Sequence, residues 1–386
     1  MGCTAIKPGI CTTVQDAGRF GYMGSGFSPS GVMDMRAYRI ANLLVDNDPD
    51  DPVLEFCLAG PTLRFTRSTF VAMTGGDFDA RVDGKPVPMY VAVPVRRGSV
   101  LAFGAPKTGV YGYLAIAGGS IDTPLVMGSR STNLKCGIGG WKGRPLATGD
   151  YLPFRTPGTD YLPNLGSHAV EGEEAYYDFP NDEVRIRAIP GPQEHLFTPE
   201  GIETFYGEPF DVSAKCDRMG FRLDGPVVET VHGSDIISDG IALGAVQIPS
   251  HGRPIVMLAD RQTTGGYAKI ATVASVDIPK LVQSRVGRHV RFERISVQEA
   301  QRLCRDEELH MAALSKMVKR PCYGGVSPRK TARRLTPILE AQALKSGNQP
   351  LWIDTDEHLH AEKRPSLRSH FARLEDTQRG DTHEDR

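Results

Sequence analysis

The sequence predicts a mostly β protein built from two strand-rich halves. Glycine accounts for 42 of the 386 residues and proline for 28, and this glycine content exceeds the ~7% of an average chain. Such frequent turn residues favour many short strands over long helices. Both halves end on a similar glycine-led segment, at 149–154 and at 287–292, and this similarity indicates two related barrels.

The first half, residues 1–155, has the pattern of strands and turns interrupted by one helix. Asp83-Gly84 follows an alternating apolar segment and is a strong hairpin signal. Asp34 is placed to cap a helix over 35–45, where Ile40, Leu43 and Leu44 form an apolar stripe. The predicted strands are at 70–73, 78–82, 99–103 and 110–117.

The second half, residues 183–320, is again rich in strands and closes with a helix. Asp277 is placed to cap a short helix that ends at Gln283. Ser296 and Glu299 form a capping box that predicts a helix through about residue 319. The predicted strands are at 184–187, 210–212, 245–248, 255–258 and 290–292.

Two segments lack the pattern of a folded core. Residues 156–182 are rich in proline, glycine and acidic side chains, which predicts a linker or surface excursion. Residues 321–386 are polar and sparsely apolar, so we expect a disordered tail.

Composition excludes several broad classes of protein. The chain has 45 Lys and Arg against 46 Asp and Glu. Its net charge is therefore too small to attract nucleic acid or a membrane surface. No apolar run approaches the ~20 residues of a membrane span, and no leader is indicated. Seven scattered cysteines without a C-x-x-C pair predict reduced thiols and a cytoplasmic location.

Standard catalytic motifs are absent from the sequence. It contains no phosphate-loop string G-x-x-x-x-G-K-[ST], no H-E-x-x-H, no zinc-spaced cysteine and histidine set, and no G-x-S-x-G. We therefore predict no metal site and neither a phosphate-loop enzyme nor a serine hydrolase.

Two polar stretches, at 8–21 and 258–276, have the composition of a binding site. Each combines two adjacent threonines with a glutamine, an aspartate and glycines, and Arg19 lies in the first stretch. Successive glycines let backbone N–H groups turn toward an anion, so we expect a turn at Gly265-Gly266 and a cleft shared by both stretches. The alternative for the second stretch is a polar hairpin turn without a functional role.

Two further arginines stand in polar turns. Arg130 lies among hydroxyl residues in the turn 128–132, a combination suited to a carboxylate or phosphate, with a capped loop as the alternative. Asp217-Arg218 is interpreted as a surface ion pair.

An ordered series of short strings resembles one known family. The strings include Pro8-Gly9, Thr12 to Asp16, Gly18-Arg19, Met33-Asp34, Gly128 to Thr132, Asp217 to Gly220 and Gln262 to Tyr267. In these strings, over about Ile6 to Glu299, the chain is similar to the biotin-dependent carboxyltransferase-like family, which contains KipA, the C subunit of 5-oxoprolinase and allophanate hydrolase subunit 2.

This resemblance implies cyclophilin-like barrels and a role as one member of a complex. The implied activity is that of an ATP-dependent 5-oxoprolinase, which opens 5-oxo-L-proline to L-glutamate. Its implied partners are a KipI-like protein, the B subunit of the enzyme, and a protein like the A subunit, with ATP used by the complex. The chain has no M-K-M string for covalent biotin.

The family also contains two alternatives to this activity. One is a carboxyltransferase or allophanate-hydrolase-type subunit for urea-like substrates, with a separate carboxybiotin carrier. The other is a KipA-type regulatory binding protein.

The two polar stretches and the Arg130 turn supply the predicted site for a small polar substrate. Asp260 is the preferred proton-transfer group and Arg130 the preferred anion anchor. The predicted catalytic residues are Asp16, Asp260 and Thr264, and the predicted substrate-binding residues are Arg19, Arg130, Gln262, Thr263, Gly265, Gly266 and Tyr267.

Overall fold

A computed structural model describes residues 2–118, 121–155, 168–178 and 182–318. Strands predominate over helices in this part of the chain, so the predicted mostly β class is confirmed. The predicted tail 321–386 lies outside the described residues, and so does most of the predicted linker. Within that linker, residues Glu173–Tyr177 form a short 3-10 helix whose Glu173 is buried against Arg36.

Eleven short strands and one helix form the described first half. The helix is α1 (Met35–Leu44). The strands are β1 (Gly2–Lys7), β2 (Cys11–Gln15), β3 (Val53–Cys57), β4 (Thr62–Phe65), β5 (Thr69–Gly75), β6 (Arg81–Val82), β7 (Lys85–Pro86), β8 (Ala92–Val95), β9 (Val100–Ala102), β10 (Tyr111–Ile116) and β11 (Tyr151–Pro153).

These eleven strands form two sheets rather than one closed barrel. The order is β11-β1-β4-β9-β6-β7 in the first sheet and β2-β3-β10-β5-β8 in the second. An apolar core that includes Phe56, Phe65 and Leu114 draws on both sheets. Strand β10 is buried along its whole length, and its alternate residues Tyr113 and Ala115 belong to a second core instead.

The second half contains nine strands and three helices. The helices are α2 (Pro199–Gly207), α3 (Ile278–Val282) and α4 (Val297–Val318). The strands are β12 (Glu183–Pro190), β13 (Phe210–Val212), β14 (Gly220–Asp224), β15 (Asp235–Gly240), β16 (Ala245–Gln247), β17 (Ile255–Met257), β18 (Thr264–Tyr267), β19 (Lys269–Val273) and β20 (His289–Arg294).

Seven of these strands form a closed barrel in the order β12-β19-β16-β17-β14-β13-β20. The barrel closes where β12 and β20 pair in parallel, with Glu183 opposite His289 and Ala188 opposite Arg294. Strands β15 and β18 form a separate two-stranded ribbon. The prediction of a barrel is thus confirmed for the second half.

Helix α1 lies where the two halves meet. Asp34 caps it as predicted, because the Asp34 side chain accepts a hydrogen bond of 2.9 Å from Ala37 N. The buried residues Ile40 and Leu44 of α1 share one apolar core with β10 and with barrel residues such as Phe292. The two halves are therefore joined by continuous apolar packing around α1.

Other local predictions have mixed outcomes. Asp83 and Gly84 both have positive φ, at 51° and 82°, as the predicted tight hairpin between β6 and β7 requires. The helix after Ser296 is present as α4. The predicted cap at Asp277 is wrong, because its carboxylate binds Arg187 and makes no capping hydrogen bond to α3. None of the described helices is long and apolar enough to cross a membrane.

Candidate functional site

The loop 28–30, which follows the first polar stretch, connects it to the second. Ser30 N donates to Ala259 O at 3.1 Å, and Ser28 Oγ donates to Arg261 O at 2.8 Å. Arg19 N donates to Pro29 O at 2.6 Å on the same loop. The loop that follows the first stretch therefore packs against the beginning of the second stretch.

A cleft of about 350 Å³ lies at this junction. Its wall combines residues of the first half, of the barrel and of helix α4. Phe20 and Leu243 are exposed apolar side chains at the cleft, 69% and 42% accessible. Residues that line it include Ala17, Phe20, Ser30, Met35, Leu243, Leu258, Arg261 and Val276. The volume suits a small ligand with an apolar portion.

A cluster of ion pairs formed by Arg218, Glu55 and Asp260 contacts the loop 30–33. Arg218 forms ion pairs with Glu55 and with Asp260, the second at 2.8 Å from Nε to Oδ2, and its Nη2 donates to Gly31 O at 2.5 Å. Burial opposes the charge of Arg218, but Glu55 and Asp260 raise its pKa above the ordinary value. The predicted proton-transfer residue Asp260 is thereby held in one orientation by a cation.

Glu55 is saturated with donors on both carboxylate oxygens. Its Oε2 accepts from Met33 N at 2.7 Å and from the Tyr113 hydroxyl at 2.9 Å, while Oε1 binds Arg218. Burial raises the pKa of Glu55, although Arg218 and these hydrogen bonds act against that rise. The interpretation of Arg218 as part of a surface pair with Asp217 is therefore wrong: Arg218 is buried and binds residues of both halves.

Asp16 holds the first bend to the turn that contains Arg130. Its Oδ1 accepts from Gly18 N, Ser129 Oγ and Ser131 Oγ at 2.9, 2.7 and 2.5 Å. Its Oδ2 accepts from Arg130 N at 2.5 Å. All four bonds are internal to the protein, so Asp16 fixes the first bend against the Arg130 turn, and its catalytic role stays a prediction.

Arg19 is fully buried and forms no direct ion pair with any residue that the structure describes. Its Nε and Nη2 donate to the carbonyl oxygens of Val126 and Ser131 at 3.0 and 2.9 Å, and within the described residues its Nη1 has no hydrogen-bond partner. Burial lowers the pKa of Arg19, against the opposing charges of Asp16 and Asp260. A guanidinium donor of this kind suits an anion, and the substrate-binding role of Arg19 stays a prediction.

Arg261 presents a second buried guanidinium, in the wall of the cleft. Its Nε and Nη1 donate to the carbonyl oxygens of Ile241 and Leu258 at 2.9 and 3.3 Å, and its Nη2 lies 4.0 Å from Met23 Sδ. Burial lowers the pKa of Arg261. The cleft wall therefore contains a positive charge that no carboxylate of the described residues contacts.

Arg130 is half-buried and binds the protein through its own turn. Its Nε donates to Thr123 O at 2.9 Å. Burial raises the pKa of Asp51, and the charges of Arg155 and Arg130 act against that rise. The role of Arg130 as anion anchor stays a prediction.

The second half of the predicted loop has a different structure from the one expected. Thr264–Tyr267 form strand β18, paired with β15, and neither Gly265 nor Gly266 has a positive φ. The expected turn at the two glycines is therefore wrong. Thr263 O accepts from Ile241 N at 3.1 Å, while Gln262, Thr264 and Tyr267 are exposed.

Close packing explains why one of these two positions is occupied by glycine. A Cβ on Gly265 would lie 2.7 Å from Ile241 Cδ1 and 2.9 Å from Gln247 Nε2, whereas a Cβ on Gly266 would meet nothing closer than 3.4 Å. The ribbon therefore packs on the barrel through Gly265.

Sequence patterns do not reveal the roles of three residues of this site. Glu55 stands within an apolar strand, and Arg261 stands among more conspicuous polar neighbours. Arg218 belongs to a visible motif, but the motif pairs it with the wrong aspartate. Among the described residues, no group of three or more His, Cys, Asp or Glu side chains is arranged to hold a metal ion.

Comparison with known proteins gives consistent matches over most of the chain. The chain is 39% identical to the C subunit of 5-oxoprolinase from Escherichia coli over 310 residues, which cover 80% of this chain and 96% of that protein. It is 36% identical to the C subunit of 5-oxoprolinase from Haemophilus influenzae over 306 residues, covering 79% and 95%.

A solved structure shows the same fold within a much larger protein. Urea amidolyase of Kluyveromyces lactis matches with a TM-score of 0.75 and 30% identity over 81% of this chain, but the match spans only 20% of that protein. The family model described as carboxyltransferase domain, subdomain A and B, matches residues 25–294. The chain belongs to this carboxyltransferase domain family.

Proposed function

We propose that this chain is the C-type subunit of an ATP-dependent 5-oxoprolinase, which opens 5-oxo-L-proline to L-glutamate. The relatives named as C subunits of 5-oxoprolinase match along nearly their whole length. A KipI-like protein in the role of the B subunit, together with a protein like the A subunit, makes up the rest of the enzyme, and the complex consumes the ATP. We also assign the complex to the cytoplasm.

The chemical difficulty of this reaction is that a lactam carbonyl is a poor electrophile. Phosphorylation of its oxygen, or stabilisation of negative charge there, makes the ring carbon reactive toward water. The substrate also has a carboxylate, which needs a fixed cation if the ring is to be held in one orientation.

The observation that carries the proposal is the buried guanidinium of Arg19. It donates to backbone oxygens, and among the described residues its buried Nη1 has no hydrogen-bond partner. The charge of Asp260 acts against the lowering of the Arg19 pKa by burial, which supports placing an anion anchor and an oriented carboxylate in one site. We assign Arg19 to substrate binding and Asp260 to proton transfer, with Asp16 positioning the bend.

The remaining predicted residues belong to the exposed ribbon and to the Arg130 turn. We assign Thr264, Gln262, Thr263, Gly265, Gly266 and Tyr267 to a surface that completes the site when the KipI-like partner docks, and Arg130 to anion binding. The ribbon is exposed along most of β15, and Ile237 is 95% accessible, which supports a role in such a contact.

Reconstitution tests the proposal directly. The chain, co-purified with the products of neighbouring genes, is expected to release glutamate from 5-oxoproline only when ATP is supplied. Deletion of the gene is expected to make 5-oxoproline accumulate in cells, and normal clearance in the deletion strain contradicts the proposal.

Variants of the reconstituted complex test the residue roles. Arg19→Met is expected to lower kcat/KM by about 100-fold or more, as loss of a charged contact to the reacting ligand does, whereas Arg302→Met on the exposed face of α4 serves as the matched control. Thr264→Ala is the cleanest test of the ribbon, because Thr264 is exposed and its truncation leaves the packing of Gly265 intact. Full activity of Arg19→Met would remove Arg19 from the mechanism.

The fold similarity to urea amidolyase supports a second candidate function. In that case the chain is a carboxyltransferase-type subunit that acts on a urea-like substrate with a separate carboxybiotin carrier. Turnover of urea with carboxybiotin, in place of ATP-dependent turnover of 5-oxoproline, distinguishes this candidate, and so does a neighbouring gene for a biotin carboxylase.

A further inference from the structure

Two cysteines lie directly opposite each other at one end of the second sheet of the first half. Cys11 is the first residue of β2, Cys57 is the last residue of β3, and the two are paired in the antiparallel register. Opposed residues of antiparallel strands have Cα atoms about 4.5–5.5 Å apart, which falls within the range of about 4.4–6.8 Å that a disulfide spans. The backbone therefore permits a disulfide without rearrangement.

The two thiols also contact each other. The hydrogen bond from the Cys57 thiol lowers the pKa of Cys11 to about 7, against burial and with help from the Arg218 guanidinium. The same bond, together with burial, raises the pKa of Cys57. Cys11 is therefore the thiolate of the pair and Cys57 the protonated partner.

Some charges on neighbouring elements favour ionisation of Cys11 and others oppose it. Arg218 favours the thiolate of Cys11, while Glu55 and Asp260 oppose it. Tyr111 of β10 faces Cys57 in the register, and burial raises the pKa of that phenol, which keeps it neutral. The net result is a nucleophilic sulfur near neutral pH.

Cys3 and Cys216 differ from this pair. Burial raises the pKa of Cys3 to about 12 and that of Cys216 to about 11. Cys11 and Cys57 are only half-buried, and each stands at a strand end beside an exposed apolar residue, Ile10 or Leu58. Both residues are therefore partly accessible to solvent.

We propose that Cys11 and Cys57 are an oxidisable dithiol, with Cys11 as the residue that reacts with hydrogen peroxide and Cys57 as the residue that resolves it to an intrachain disulfide. This inference does not depend on the proposed function. It assigns a modification site beside the Arg218 ion cluster.

The chemistry takes place in two balanced steps. The Cys11 thiolate attacks one peroxide oxygen, an S–O bond forms, the O–O bond breaks, and hydroxide leaves, so that sulfur is oxidised and peroxide is reduced. The Cys57 sulfur then attacks the sulfenic acid; the S–O bond of Cys11 breaks, the S–S bond forms, and the departing hydroxyl takes the Cys57 proton to give water. Oxidation thereby removes a negative charge that Arg218 helps to stabilise.

Peptide mapping of the full chain tests the disulfide. The protein is purified with reductant, freed of it, treated with equimolar peroxide at pH 7, blocked with iodoacetamide and digested without reduction. The expected product is one peptide that joins Cys11 to Cys57. Recovery of both cysteines as alkylated thiols, or a disulfide from Cys11 to a different cysteine, overturns the proposal.

Alkylation kinetics test the separate roles of the two thiols. Cys11 is expected to react with iodoacetamide at pH 7 at least tenfold faster than Cys216. Cys57→Ala removes the hydrogen bond and is expected to lower the Cys11 rate about tenfold at pH 7, because an ordinary thiol with a pKa near 8.5 is only slightly ionised there. An unchanged Cys11 rate in this variant contradicts the assigned roles.

Two more variants keep the test decisive. Cys57→Ser preserves the size of the side chain and is used if Cys57→Ala fails to fold; peroxide is expected to leave its Cys11 as a sulfenic acid that dimedone traps. Cys216→Ser is the matched control, since Cys216 is also half-buried, and its disulfide yield is expected to equal that of the unchanged protein. Loss of the disulfide in Cys216→Ser overturns the proposed pairing.

Discussion

Arg218 and Glu55 form a buried ion pair that joins the two halves of the molecule. Glu55 comes from β3 in the second sheet of the first half, and Arg218 comes from the segment that precedes β14 of the barrel. Asp260 binds the same guanidinium from a third position in the chain. The orientation of Asp260 therefore depends on the correct docking of both halves.

Arg218→Met is expected to lower the free energy of unfolding by about 3–5 kcal/mol, the usual effect of removing one partner from a buried ion pair. Burial already raises the pKa of Glu55, and without Arg218 that pKa rises further. A carboxyl whose pKa is higher in the folded state favours folding below its unfolded pKa and loses that contribution as the pH rises through its folded pKa.

The Arg218→Met variant is therefore expected to be more destabilised at pH 8 than at pH 5, as measured by urea unfolding. The double variant Arg218→Met/Glu55→Gln is the control, and it should recover part of the stability at pH 8. Equal destabilisation at both pH values contradicts this account.

Asp277 is expected to contribute stability that is lost in acid. Its carboxylate binds Arg187 through Nε at 2.7 Å and Nη2 at 2.6 Å. Burial by itself raises the pKa of Asp277, but these bonds and the charge of Lys280 hold it below the ordinary value. A lowered pKa stabilises the fold above the unfolded value of about 4, and this stabilisation is lost as the pH falls through the folded pKa.

Asp277→Asn is accordingly expected to reduce the free energy of unfolding at pH 7 by about 3–5 kcal/mol and to flatten its dependence on pH in acid. Asp306→Asn, on the exposed face of α4, is the control and should leave both quantities unchanged. A pH profile of Asp277→Asn that parallels the unchanged protein would assign the acid sensitivity to other groups.

The variant Asp16→Asn tests whether Asp16 positions the first bend or takes part in catalysis. The substitution places an amide among donors that all point at Asp16, so one N–H group faces another donor. Loss of a buried acceptor of this kind costs about 1–3 kcal/mol or more, which thermal unfolding measures. A variant with unchanged stability and no activity would instead support direct participation of Asp16 in catalysis.

Gly265→Ala and Gly266→Ala are expected to differ although the residues are adjacent. A methyl group at Gly265 displaces the buried ends of Ile241 and Gln247, whereas a methyl group at Gly266 has room. We expect Gly265→Ala to lower the free energy of unfolding by about 1–2 kcal/mol and Gly266→Ala to leave it nearly unchanged. Equal effects in thermal unfolding would show that the ribbon is not held through Gly265.

Elements with local signals could be predicted from the sequence. Asp34 before α1, Asp83-Gly84 between β6 and β7, and Ser296 before α4 each act on residues no more than three positions away. Both partners of each interaction are therefore visible in a short stretch of sequence. The helix after Asp277 could also be predicted, but its cap could not, because the distant Arg187 binds the carboxylate instead.

The candidate site could be predicted only in part. The loop that follows the first bend meets the segment around Asp260 through the bonds between Ser30 and Ala259 and between Ser28 and Arg261, while a cleft shared by the two bends stays a prediction. The prediction of a turn at Gly265-Gly266 was wrong, because glycine adopts extended as well as left-handed backbone conformations. Pairing with β15 selects the extended conformation. Glu55 and Arg218 become partners only after the two halves dock, so their residue types alone carried no signal.

The parallel seam between β12 and β20 has a consequence for biosynthesis. The first and last strands of the barrel are neighbours, so the barrel cannot close until the ribosome has released His289–Arg294. Until then β12 and β13 each lack a partner along one side, and such open edges invite association with other chains. A nascent chain arrested before β20 is therefore expected to need a chaperone.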